Sequence, residues 1–196
     1  MRLFIAIDIP EEVRRAIAAW VAGLRNSAAS SGSPRGGGPR WTRLEGLHLT
    51  LKFIGETPET RVPEIRAALE TIRRNSPIDL HLRGTGFFPN EKNPRVFWAG
   101  IESGEELPSL AEAIERKLEP LGFPREARAF QPHLTLARFS SREGLDPLRE
   151  QLAVAGPAEF GESRVSELHL CQSVLKPDGA EHTRLASFDF TGGGSR

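Results

Sequence analysis

Two short segments of this chain set a histidine two positions before a threonine: His48-Leu49-Thr50-Leu51 and His133-Leu134-Thr135-Leu136. The chain has only five histidines in 196 residues, so a repeated His-x-Thr word asks for a chemical reason. Imidazole titrates near neutrality, and one ring can take a proton while a second gives one. Two such rings flanking a phosphorus atom would serve in-line phosphoryl chemistry. The neutral ring draws a proton from the attacking water or hydroxyl, and the protonated ring delivers one to the departing oxygen. Threonine hydroxyls can donate to the non-bridging oxygens, where negative charge must be held. The scheme requires no metal, and two histidines without cysteines or carboxylates at ligand spacing make a poor divalent site. The words for other chemistries, H-E-x-x-H, G-x-S-x-G and the P-loop, do not occur.

Positioning these residues is a matter of strand alternation. On a strand, His48 and Thr50 point to one face while Leu49 and Leu51 point to the other, and the second word behaves alike. The leucines hold the strand to a core; the histidine and threonine face something polar. A single such histidine would read as a satisfied strand residue beside the core, but a matched pair, each with its threonine, favours chemistry. His81, His169 and His182 lack a threonine two residues on and are assigned no catalytic role, with His81 expected to face solvent.

Apolar spacing predicts helices over about 11–25, 59–74 and 105–119, and a short one opened by Asp146-Pro147 that carries Leu145, Leu148 and Leu152. Strand-like runs lie at 2–8, 47–54, 78–86, 94–101, 132–139, 165–174 and 183–190. The order repeats, and so do some letters. RLFIA at 2–6 resembles RVFWA at 95–99, HLTL recurs at an offset of 85, and Asp79-Leu80-His81-Leu82 resembles Glu167-Leu168-His169-Leu170. Three matches in one order, at similar offsets, read as a duplication. A pseudo-two-fold axis between the copies would set the two His-x-Thr pairs across one cleft.

Lys and Arg number 26 and so do Asp and Glu, which excludes a polycation held to nucleic acid by bulk charge. Any phosphate binding must come from a local cluster. Cys171 is the only cysteine, so there is no internal disulfide and no cysteine zinc site, and a reducing cytoplasm is expected. The opening MRLFIAIDIP is too short and too alternating for a signal peptide, and no run approaches a membrane span. Residues 27–40, SAASSGSPRGGGPR, are expected to form a flexible loop, and 191–196 a disordered tail. Arg25, Arg35, Arg40 and Arg43, with no acid from Asn26 to Leu44, open a second reading of that loop as a mobile basic flap.

The carrying segments RLFIAIDIPEE, RWTRLEGLHLTLKFIGE, RVFWAGI, FQPHLTLARF and ELHLCQSVL span nearly the whole chain. Their pattern resembles the two-histidine (2H) phosphoesterases, specifically the bacterial and archaeal RNA 2',3'-cyclic phosphodiesterases, long called 2'-5' RNA ligases. The resemblance implies one bilobal α+β domain over 1–196, with two antiparallel sheets, each backed by helices, around a central groove. It implies hydrolysis of a terminal 2',3'-cyclic phosphate on RNA to a 2'-phosphomonoester, and the joining of such an end to a 5'-hydroxyl through a 2'-5' linkage. The family's catalytic histidines fall on His48 and His133, its phosphate-binding threonines on Thr50 and Thr135, and its basic residue on Arg138. No metal or other cofactor is implied. Position 138 is five after His133, so in an unbroken strand it faces the wrong side, and only a bend or the strand's end would let it reach the phosphate. The resemblance favours His48 as acid and His133 as base, while near-symmetry leaves the reverse open. Relatives often carry an aromatic residue where this chain has Cys171, so base stacking would pass to Phe87, Phe88, Trp41 or Phe130. The expected partner is RNA with a cyclic phosphate end, tRNA halves among the candidates, and a monomer is the default. The rivals are a phosphodiesterase for small cyclic phosphates or 2'-5' oligonucleotides, and an RNA-binding module without turnover.

Overall fold

Leu3, Ile5 and Ile7 are fully buried along the first strand, and the helical stripes read from spacing turn inward to meet such faces. The computed structural model describes residues 1–30, 39–176 and 179–191. In chain order the elements are β1 (Arg2–Asp8), α1 (Glu11–Ser30), β2 (Arg40–Trp41), β3 (His48–Glu56), α2 (Val62–Leu69), β4 (Ile78–Phe88) and β5 (Val96–Glu102). There follow α3 (Glu106–Leu118), β6 (His133–Arg138), α4 (Leu145–Ala155), β7 (Glu159–Val165), β8 (Glu167–Lys176) and β9 (Gly179–Asp189). The strands form two antiparallel sheets, ordered β3-β1-β8-β9 and β2-β6-β5-β4-β7. α3 lies on β3 with α2 packed beside it, and α1 lies on β7 with α4 beside it. Trp20 of α1 fixes that second layer by stacking on Phe97 and meeting Phe160 edge-on. The fold is α+β, as the sequence implied.

The two halves exchange strands. β4, from the first half, is zipped to β5 of the second, while β8, from the second half, is zipped to β1 of the first. Each sheet therefore needs both halves. Ladder register also corrects two of the letter matches. Ala6 pairs with Thr50 and Trp98 with Thr135, so Ala6 corresponds to Trp98, not to Ala99 as the RLFIA and RVFWA alignment has it. A one-residue slip exchanges the faces of a strand. Phe4 pairs with Cys171 and Val96 with Phe88, so Cys171 corresponds to Phe88, and the alignment of 79–82 with 167–170 is displaced.

Boundaries differ from the spacing-based expectation in places. α1 runs on to Ser30 and Arg40 sits in β2, so the stretch expected as a flexible loop, 27–40, is helical at its start and strand at its end. Residues 31–38 of that loop, and 192–196 of the expected tail, lie outside the described residues. Helix 59–74 resolves into a 3-10 turn at Glu59–Arg61 and the shorter α2. The chain then tightens through Thr71 and Ile72 amides on the carbonyls of Ala68 and Leu69. β2 and β7 were not foreseen: one is two residues long, and the other, EFGESRV, has mostly polar letters.

Lys52 is 3% exposed on the core side of β3. Its Nζ donates to Glu115 of α3 at 2.6 Å and to the Pro124 carbonyl at 2.8 Å, while Glu115 also accepts from the Glu126 amide. This buried pair fixes α3 and the following loop behind the strand that carries His48.

Candidate active site

His48 and His133 each begin a strand, and both strands share one burial pattern: half-buried His and Thr, buried leucines between. Each ring is oriented the same way. His48 Nδ1 lies 2.7 Å from the Gly46 carbonyl and His133 Nδ1 lies 2.7 Å from the Gln131 carbonyl, two residues back in both cases. A carbonyl only accepts, so Nδ1 carries hydrogen and Nε2 is left to exchange protons.

Both strands break at the same place. Thr50 pairs with Ala6 but Lys52 with Ile5, so Leu51 is an extra residue; Thr135 pairs with Trp98 but Ala137 with Phe97, so Leu136 is extra. These matching bulges settle where position 138 points. Leu136 and Ala137 are both buried, and alternation resumes with Arg138 exposed on the side of Thr135. The Arg138 charge acts on His133. The equivalent turn in β3 exposes Phe53, whose cross-strand neighbour and ring contact is Phe4. Phe53 is 55% exposed. Of the expected stacking residues, Phe87 and Trp41 lie against Phe97 in the core and Phe130 packs on it too. Phe88 meets the His133 ring edge-on at 4.9 Å.

The surroundings of the two histidines are not alike. Phe4 packs on His48 at 4.8 Å, and His182 stands edge-on to both, 4.9 Å from His48. Asp8, opposite His48 in the ladder, is bound by Arg184 and lies 3.8 Å from His169, which in turn bonds Ser187. His182 and His169, set aside on sequence grounds, are thus neighbours of the site; no local word marks them, because β8 and its partner β9 meet this face only through the long-range pairing of β8 with β1. His81 is exposed and pairs with Glu162, away from both words. Around His133 the wall is Phe88 and Trp98. A Cβ on Gly86 would sit 2.3 Å from the Trp98 ring, so only glycine lets that indole lie across β4.

Burial lowers the pKa of both histidines. At His48 the Gly46 hydrogen bond and the Asp8 charge oppose that fall; at His133 the Gln131 hydrogen bond opposes it but Arg138 deepens it. His182 is lowered by burial and by His48. Burial pushes the Cys171 thiol up to about 11, which leaves it protonated and unreactive. Among the described residues no three His, Cys, Asp or Glu side chains gather as a ligand set. The two sheets touch along β3 and β6, the strands that carry the two words.

The model of the 2'-5' RNA ligase superfamily matches residues 10–176. An RNA 2',3'-cyclic phosphodiesterase of Aeropyrum pernix is 38% identical over 166 residues, 84% of this chain and 92% of the relative. Among solved structures, TT0787 of Thermus thermophilus superposes with a TM-score of 0.75 at 36% identity, covering 99% of this chain and all of the other. The LigT of E. coli complexed with 3'-AMP also gives 0.75, at 28% identity over 97% of this chain and 98% of the other. No helix of the described residues is long and apolar enough to cross a membrane.

Proposed function

Because the chain belongs to the 2'-5' RNA ligase superfamily, we propose that it hydrolyses the 2',3'-cyclic phosphate at the end of an RNA to a 2'-phosphomonoester. The observation that carries this reading is the duplicated His-x-Thr strand, with each Nδ1 held by the carbonyl two residues back. Contact between β3 and β6 supports a cleft in which the two Nε2 atoms flank one phosphorus. His133 Nε2 takes the proton of the attacking water. The P–O3' bond breaks as the new P–O bond forms, and His48 Nε2 protonates the departing 3'-oxygen; the 2'-ester remains. Thr50, Thr135 and Arg138 hold the non-bridging oxygens, the arginine by a charge-assisted bond.

The electrostatic difference between the rings supports this division of roles. Asp8 favours a protonated His48, whereas Arg138 favours a neutral His133. Phe53, the exposed ring on the His48 side, serves as platform for the terminal base. Joining such an end to a 5'-hydroxyl is the same displacement with that hydroxyl in place of water, so His133 takes its proton and His48 again protonates the 3'-oxygen. Cleaving the 2'-5' linkage back to the cyclic phosphate exchanges the two roles by microscopic reversibility. Proton transfer from water to one imidazole and from the other to the 3'-oxygen needs no metal, and the protein acts as a monomer in the cytoplasm.

The test is to incubate the protein, with EDTA, with an RNA ending in a 2',3'-cyclic phosphate and to identify the new end. A 2'-phosphate is expected. No product, a product only with added metal, or a 3'-phosphate would contradict the reading. The E. coli relative solved with 3'-AMP makes mononucleotides a sensible second substrate class to assay in parallel.

A further inference from the structure

Arg40 stands directly across from Arg138 in the short β2–β6 ladder. Its neighbour Trp41 turns inward onto Phe97, so alternation sends Arg40 to the opposite face, the one that carries Arg138, Thr135 and His133. The pair is held on ladder backbone: the Thr42 amide donates to the Leu136 carbonyl at 2.8 Å. Like charges directly opposite in a sheet are destabilising. Both guanidinium groups are exposed, and among the described residues neither has a hydrogen-bond or ion-pair partner for its side chain, although the same sheet pairs its other arginines, Arg83 with Glu102 and Arg164 with Asp79. An unneutralised cross-strand pair of this kind suits an occupant that brings successive negative charges.

On the reading that Arg138 holds the scissile phosphate, we propose that Arg40 binds the phosphodiester one nucleotide upstream. That contact makes an oligoribonucleotide end, over a free mononucleoside cyclic phosphate, the substrate class this site selects. A mononucleotide carries one phosphate and can use only one member of the pair. A chain engages both and releases the counterions of both.

The experiment compares kcat/KM on adenosine 2',3'-cyclic phosphate and on a short RNA with the same 3' end, over a range of salt, for the natural protein and Arg40→Ala. The ratio of oligonucleotide to mononucleotide kcat/KM should fall about tenfold in the variant, and its log-log salt slope on the oligonucleotide should become shallower by about 0.7. A methylphosphonate at the last internucleotide linkage, the one next to the cyclic phosphate, should reproduce the loss in the natural protein and add nothing to the variant. An unchanged ratio overturns the proposal. Equal losses on both substrates would also overturn it, by putting Arg40 on the scissile phosphate. If neither substrate is turned over by the natural protein, the phosphodiesterase reading itself fails. Equilibrium binding of the two uncleaved ligands then still decides the role of Arg40 by the same ratio.

Discussion

Asp8 lies directly opposite His48 in the β1–β3 ladder, and the position that matches it opposite His133 is a glycine, Gly100. The duplication thus kept the histidines alike while making their electrostatic settings different. A carboxylate beside His48 stabilises its imidazolium, and a guanidinium near His133 destabilises the other.

From this follows a pH signature. As the acid, His48 must be protonated, so activity is lost as pH rises through its pKa; as the base, His133 must be neutral, so activity is lost as pH falls through its own. Asp8→Asn removes a charge that raises the His48 pKa, and the alkaline limb of the kcat/KM profile should move to lower pH. Arg138→Gln removes a charge that lowers the His133 pKa, and the acidic limb should move to higher pH. Movement of the opposite limb in each variant would exchange the two assignments.

Phe53 occupies in β3 the bulge-turned position that Arg138 holds in β6. Stacking on an aromatic face contributes about 1–3 kcal/mol per base, so Phe53→Ala should raise KM about tenfold or more with a much smaller change in kcat, and Phe53→Trp should restore it. Steady-state kinetics on a substrate with an abasic terminal ribose checks the assignment, since the variant and the natural protein should then perform alike. A Phe53→Ala variant with unaltered KM would remove the base from this ring.

The Lys52–Glu115 pair is a stability element 2.6 Å long and almost out of water. Truncating one partner strands a buried charge, so Lys52→Met alone should cost about 3–5 kcal/mol in urea unfolding, while Lys52→Met with Glu115→Leu should recover most of it. Equal loss in the single and double variants would show that packing, not charge, is what the lysine supplies.

Acid should loosen the unliganded protein. His48, His133, His169 and His182 all sit below their ordinary value of 6.5 when folded, so below that value the unfolded chain binds more protons. The stability they contribute is complete above the unfolded pKa and lost as pH falls through the folded ones. The thermal midpoint should therefore drop between about pH 7.5 and 5.5, where histidine is the side chain that titrates. A flat midpoint across that window would contradict the burial of these rings. His182→Asn should reduce the slope.

The sequence made the two words, their strands and the facing of His48, Thr50, His133 and Thr135 legible, because alternation is a local rule. Arg138 was not legible from spacing. Its facing depends on a bulge, and a bulge is set by register with a neighbouring strand. The repeat showed through its strongest word, yet the matches at 2–6 and 79–82 were out of register, since apolar strands share letters more readily than they share ladder partners. Strand exchange between halves, the Lys52–Glu115 pair and the approach of His182 to His48 all join residues far apart in the chain. The unforeseen β2 matters most, because it turns Arg40 from a loop residue into the cross-strand neighbour of Arg138.

The division of labour between the histidines is tested most directly by an RNA whose cyclic phosphate carries sulfur in place of the bridging 3'-oxygen. A thiolate leaves without being protonated, so His48→Ala should hydrolyse this substrate at close to the natural protein's rate while remaining inactive on the oxygen substrate. His133→Ala should be inactive on both. Rescue of His133→Ala instead, or of neither variant, would contradict the account.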